Sequence, residues 1–452
     1  MQTEQAKLTK GPVSSAITSM MVPMIIGLIV IIGNGLVDAY FVGQLGYAQL
    51  AAISYAFPVW FILGGIVMGL GVGTSSVVSR LIGSGNHAQV KEVATHSMIL
   101  GVCVGIAVIS IGLITLEDLF GLLGANEETM PYVKDYMEIY YLGGIFIAVP
   151  MIGNSVLRAS GDAKTPSILM ASTAIINAIL DPILIFGWFG MPAMGIKGAA
   201  LASVCANIFV FLAALAILIF RDRLIQFQGH SVNKIIQSWK QILHVGFPAI
   251  ASNLIAPVSS ALVTALVASF GQSAVAAYGL AGRIEAFVIV ILMALGGAMA
   301  PFVGQNFGAK KFERLREGFV FAARFMLVYS IICILFLFYA ADFLVGVFTS
   351  NEEVMRIAII QLVYCPWGYG FLGLAAICNG SFNAFGKPMP AMTISISRTL
   401  MVYVPMAYWL ASIYGIRGIF IAQVLSNILA GIVALFWYRS IFKQLRSEYS
   451  PA

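Results

Sequence analysis

Twelve apolar runs, each about twenty residues or longer, follow one another along this chain. They fall at about 16–44, 50–79, 93–116, 131–157, 166–188, 196–220, 241–270, 276–305, 318–341, 355–384, 391–411 and 416–438. Each is near the length that an α-helix needs to cross a bilayer, and some are long enough to tilt. Membrane β-barrels give shorter, alternating segments, so they are excluded. The predicted fold class is an all-α polytopic membrane protein with about twelve transmembrane helices. A mean hydropathy of +0.94 and only 10% charged residues agree. Charge then sets the orientation. The start of the chain and alternate loops hold eighteen Lys and Arg, the opposite loops only Lys134, Lys197, Arg356 and Arg417. Basic residues stay on the cytoplasmic side, so both termini are expected there. The net charge of +6 is thereby used as a topology signal and points to no nucleic acid.

The chain also repeats itself. Pro23 and Pro248, Gly46 and Gly271, Gly83 and Gly308, Asn154 and Asn379, and Gly161 and Gly386 are each 225 apart, as are two Asn-Glu-Glu runs starting at Asn126 and Asn351. Further on the offset becomes 220, where GIKGAALASVCANI from Gly195 matches GIRGIFIAQVLSNI from Gly415. Six spans per half is an even number, so the halves share one orientation. The pseudo-two-fold axis then lies along the membrane normal, with a cavity expected near the midplane. The predicted division is 1–220 as an N-terminal six-helix lobe, 221–240 as a cytoplasmic linker and 241–452 as a C-terminal lobe. Within the linker, Val232–Lys240 reads as an interfacial helix.

Against this apolar background a few polar residues stand out. Asp38 lies inside the first span, with Asn34 one turn earlier on the same face. Asn177 and Asp181 repeat the spacing in the fifth span. An acid at the bilayer centre costs roughly 2.5–3.5 kcal/mol even on the lenient scale, so it needs a partner, water or a task. The second half has Val263 opposite Asp38 and no acid opposite Asp181. Counting along outward-running spans at 1.5 Å per residue places both acids in the outer half, with Ser203 of the returning span at a similar depth. Such a set suits proton storage or a small hard cation held by oxygens. A structural contact between spans is the plainer alternative. Arg283 and Glu285 are two apart and so on different faces. A structural ion pair with another span and a substrate contact are both open for them. Pro23 and Pro182 each remove a helical N–H, marking the first and fifth spans as candidate hinges. No HExxH and no serine–histidine arrangement sits on a span, so an enzyme is not expected.

The repeat, Pro23 and Asp38, RASGDAKTP at 158–166, Asn177-x-x-x-Asp181-Pro182 and GIKGAALAS at 195–203 together resemble the multidrug and toxic compound extrusion (MATE) family, most closely its prokaryotic DinF-like branch. The resemblance covers almost the whole chain. It implies an antiporter that exports cationic, often aromatic drugs against H⁺ or Na⁺ by alternating access. Such a protein would be a monomer among lipids in a bacterial or archaeal cytoplasmic membrane, with no cofactor beyond the coupling ion. It carries an ion site over to Asp38, Asn177, Asp181 and Ser203, where other members often have Thr. Asn34, Asn154, Arg283 and Glu285 are assigned to the substrate cavity. The Na⁺-associated branch has acids in spans seven and ten. This chain has none there, which favours H⁺ and leaves Na⁺ at Asp38, Asn177 and Asp181 as the alternative. A lipid-linked oligosaccharide flippase of the same superfamily is the other transporter reading. It would present cations to a pyrophosphate, and only Arg283 and Arg398 are deep candidates.

Overall fold

A computed structural model describes residues 6–226, 229 and 231–449. Phe227, Gln228 and His230 of the expected linker, and both extreme termini, lie outside them. The described residues are helical almost throughout. In chain order they form α1 (Val13–Gly43), α2 (Tyr47–Gly83), α3 (His87–Leu122), α4 (Met130–Leu142), α5 (Gly144–Ala159), α6 (Lys164–Phe186), α7 (Ile196–Ala216, ending in a π turn, Ile217–Arg221) and α8 (Val232–Ala268). There follow α9 (Gln272–Gly308), α10 (Phe312–Gly346), α11 (Glu352–Tyr364), α12 (Tyr369–Ala384), α13 (Met389–Ile396), α14 (Val404–Tyr414) and α15 (Ile416–Tyr449).

Among the described residues, ten stretches are long and apolar enough to cross a bilayer unaided, one of them α11 and α12 together. The fourth expected span is α4 and α5, bent by 50° at Gly143. The eleventh runs without a gap through α13, a π-helical segment Ser397–Tyr403 and α14. Pro405, at the start of α14, cannot donate a backbone hydrogen bond, and its ring crowds the preceding turn. A widened turn accommodates such a defect.

Chain contacts divide the molecule into two compact units. One holds Val22–Ile250; the other holds Lys7–Met21 and the chain from Ala251 on. The cuts fall inside α1 and α8, close to the repeat-related Pro23 and Pro248. In the second unit Leu8 N–H donates to Gln305 (3.1 Å), and Asn306 donates to the Leu8 carbonyl (3.1 Å). Lys311 reaches the Thr9 carbonyl, and Arg314 those of Leu8, Lys10 and Gly11. In the first unit Val232–Lys240 is no separate surface helix. It is the opening of α8 and docks on α3, with Ser238 on His96 Nδ1 (2.8 Å), Trp239 donating to the His96 carbonyl (2.9 Å) and Lys234 paired with Glu92. Those partners draw it onto protein.

The repeat shows in the turns. Asn126 and Asn351 accept backbone N–H groups ahead of α4 and α11, as side-chain acceptors do at helix starts. Gly195 and Gly415 precede α7 and α15 with φ of 56° and 60°, a region costly for any residue with a Cβ. The RASGDAKTP motif is a joint. Asp162 accepts from the Thr165 amide (2.9 Å) and hydroxyl (2.6 Å) and binds Arg221 (2.7 Å). Burial works against the charge on Asp162, but Thr165 and Arg221 outweigh it and hold the carboxyl below the usual range.

Gly198 and Gly418, also repeat-related, let helices touch backbone to backbone. A Cβ on Gly418 would stand 2.2 Å from the Leu410 carbonyl oxygen, and one on Gly198 2.4 Å from that of Leu184. Gly418→Ala is expected to destabilise the protein by about 1–3 kcal/mol, the usual cost of overpacking. Gly121→Ala, where a Cβ meets nothing within 4 Å, serves as control. Thermal melting of the two purified variants checks it; equal melting points would refute the backbone contact.

Candidate ion site

The first unit gathers the polar residues of three spans. Asn34 and Asp38 share a face of α1, four residues apart, as Asn177 and Asp181 do on α6. The amide of Asn177 is the hub. Its Oδ1 accepts from Asn34 Nδ2 (3.0 Å), and its Nδ2 donates to Ser203 Oγ on α7 (3.2 Å) and, more weakly, to Asp181 Oδ1 (3.4 Å). Asn34 Nδ2 also approaches Asp38 Oδ2 (3.4 Å). Asn177 and Asp181 are buried, at 2% and 1% exposure, while Asn34, Asp38 and Ser203 are partly open. Four of the expected residues, Asp38, Asn177, Asp181 and Ser203, are thus brought together, with Asn34 joined to them.

The two carboxyls face each other within hydrogen-bonding range. When both are ionised they are acceptors only. Asp38 Oδ1 and Asp181 Oδ2 are buried and meet no donor, and no Lys, Arg or His pairs with either acid among the described residues. Buried acceptors without partners are costly. A single proton between the carboxyls would serve both. A cation bound by the same oxygens would do the same electrostatic work.

Sequence reading missed Tyr136. It comes from α4, is nearly buried, and puts its hydroxyl beside that of Ser203, close to both acids. It belongs to an apolar cluster with Ile53, Val59, Val133 and Ile185, and its ring packs on Trp60 and Tyr140. One wall of the site is therefore apolar and aromatic. α1, by contrast, is closely packed at Gly27, where a Cβ would lie 3.3 Å from Ser167 Oγ, and open at Gly33 and Gly35. Both Pro23 and Pro182 sit inside unbroken helices.

The other expected residues lie apart from this cluster. Asn154 on α5 is buried with its Oδ1 unpartnered, and no hydrogen bond links it to the acids among the described residues. In the second unit, Arg283 is exposed and Glu285 is 6% exposed, as their two-residue spacing on α9 requires. Glu285 takes hydrogen bonds from Tyr369 (2.8 Å) and Gln361 (3.0 Å). The ion pair held open for it is absent among the described residues, because neutral donors fill that role.

The MatE family model matches residues 23–183 and 248–409, one block in each half, starting at the two repeat-related prolines. The chain belongs to the MATE family. Members are transporters with a multidrug-efflux record, so this is a multi-pass membrane transporter. A relative from Shewanella oneidensis, named an FAD transporter, is 35% identical over 97% of both chains. The probable multidrug resistance protein YoeA of Bacillus subtilis is 29% identical over 90% of this chain and 88% of its own. Among solved structures, the Vibrio cholerae MATE transporter VcmN in the bent form is similar with a TM-score of 0.91 and 32% identity. That match covers 99% of this chain and all of the other. A MATE chain with about twelve helical spans is what the sequence led us to expect.

Proposed function

We propose that this MATE transporter exports aromatic, mostly cationic small molecules in exchange for protons carried by Asp38 and Asp181. The observation behind this is the facing pair of carboxyls on α1 and α6, without a counter-cation and with an unpartnered oxygen on each. Protons arriving from outside neutralise the pair. That removes its attraction for a cationic cargo and lets the loosely packed outer half of α1, beyond Pro23, rearrange. The acids then release their protons to the cytoplasm, and the next cargo binds. The protein works as a monomer in a bacterial or archaeal cytoplasmic membrane, with both termini inside.

The deciding experiment is drug-induced proton release. Purified protein in weakly buffered detergent at near-neutral pH is mixed with a cationic dye, and pH is followed with an indicator. Release is expected and is unchanged when choline replaces Na⁺. Binding that requires Na⁺ and releases no proton would leave the same oxygens as a sodium site. A second reading concerns the cargo alone. The Shewanella oneidensis relative is named for FAD, an anionic aromatic dinucleotide, and proton exchange would drive export of such a cargo equally well.

A further inference from the structure

The second unit carries a charge on the span that corresponds to the one holding Asn177 and Asp181 in the first. The offset between the halves runs from 225 to 220, so Asn177 and Asp181 correspond to positions within 397–406. That stretch holds Arg398 at the opening of the π-helical segment. Its partner also has a counterpart in the repeat. Asn207 on α7 corresponds to Asn427 on α15, 220 residues on, although Asn207 itself donates to the Ser203 carbonyl of its own helix. Arg398 Nη1 donates to Asn427 Oδ1 (2.9 Å). In each half the same two helices are joined by a polar side-chain link, amide to hydroxyl in the first (Asn177 Nδ2 to Ser203 Oγ, 3.2 Å) and guanidinium to amide in the second.

Arg398 lies nine residues into the eleventh span, about 14 Å along its axis at 1.5 Å per residue, well inside a hydrocarbon layer of about 30 Å. It is half-buried. Among the described residues its one hydrogen bond goes to a neutral amide, and no carboxylate pairs with it. Glu285, the buried acid of this unit, is taken by Tyr369 and Gln361. A guanidinium at this depth without a counter-charge is poorly compensated. Snorkelling does not explain it, because the side chain is tied to Asn427, itself 1% exposed. Asn427 is held in turn: a Cβ on Gly368 would stand 3.1 Å from its Nδ2. Tyr403, at the other end of the π segment, lies within electrostatic reach of the guanidinium. The amide occupies one edge of a planar fork whose other nitrogens suit two oxygens of a phosphate or carboxylate.

We infer that Arg398, oriented by Asn427, binds an acidic group of the transported molecule, a phosphate or a carboxylate. Cargo carrying both an aromatic ring and an acid is then admitted. The inference rests on the reading of this chain as an exporter of aromatic small molecules. It is tested by equilibrium binding without any ion gradient, so a failure of coupling leaves the result untouched.

The test compares flavin mononucleotide with riboflavin, the same ring without its phosphate. Flavin fluorescence is titrated against full-length protein in phosphatidylcholine nanodiscs. The wild type is expected to prefer the phosphorylated flavin at least tenfold. Arg398→Gln should remove that preference and leave riboflavin binding unchanged. Asn427→Asp gives Arg398 a permanent anionic neighbour, so it should remove the preference too, with no fall in melting temperature. No preference in the wild type, or an equal preference in Arg398→Gln, overturns the assignment. So does loss of riboflavin binding in step with the phosphate preference. A parallel series in phosphatidylglycerol nanodiscs separates the other source of phosphate. Arg398-dependent retention of that lipid, without a flavin phosphate preference, would make this a headgroup site and also overturn the cargo assignment.

Discussion

Asp38→Asn should reduce drug export to background while the protein still reaches the membrane and melts no lower than the wild type. The two halves of that expectation have one cause. Asp38 and Asp181 face each other with an unpartnered buried oxygen on each. Asparagine keeps the shape of Asp38 and brings an N–H₂ group that can donate to Asp181. It thus removes one member of a like-charged pair and supplies a missing donor, both of which favour the fold. What is lost is the titration. A fixed amide cannot take up a proton on one side and release it on the other, so no gradient can drive the cycle. Asp181→Asn should behave alike, and the double variant no worse than either single, because groups that act as one unit do not add. Export is read as dye efflux from cells, and the fold as thermal melting after purification. Near-normal efflux by Asp38→Asn would remove the pair from the coupling step.

The spans were legible because lipid demands long apolar runs, and the halves because turn residues recur at a fixed offset. Gly195 and Gly415, with nearly the same positive φ, show what that recurrence encodes. Two features were hidden. Apolar periodicity carries no mark of the bend at Gly143 or of the π segment ahead of Pro405; each is a local answer to packing or to a missing N–H. Asp38, Asn177, Asp181 and Ser203 stood out because polar residues are rare in these runs. Tyr136 did not, since this chain has 17 tyrosines and the relevance of this one lies in Ser203, on another helix. The same limit applied to Glu285. Its depth was readable, but its donors Tyr369 and Gln361 sit more than seventy residues away in sequence.

Asn177→Ala should fail in a different way, losing both export and stability. Asn177 alone ties three spans together: it accepts from Asn34 on α1 and donates to Ser203 on α7 and Asp181 on α6. Alanine leaves the Asn34 amide without its best acceptor and Asp181 Oδ1 without its donor, in a place only 2% exposed at Asn177 itself. Leaving a buried polar group unpaired costs about 1–3 kcal/mol, so a melting point several degrees lower is expected. The acids remain, yet they lose the group that holds them in register, and α1 loses its polar hold on α6. Export should drop at least as far as the fold is weakened and should not recover on cooling to temperatures where the variant is fully folded. Asn34→Ala, at the partly exposed end of the same chain of bonds, should cost less on both counts. An Asn177→Ala protein that melts and exports like the wild type would show that the amide is a bystander and that the acids are positioned by backbone packing alone.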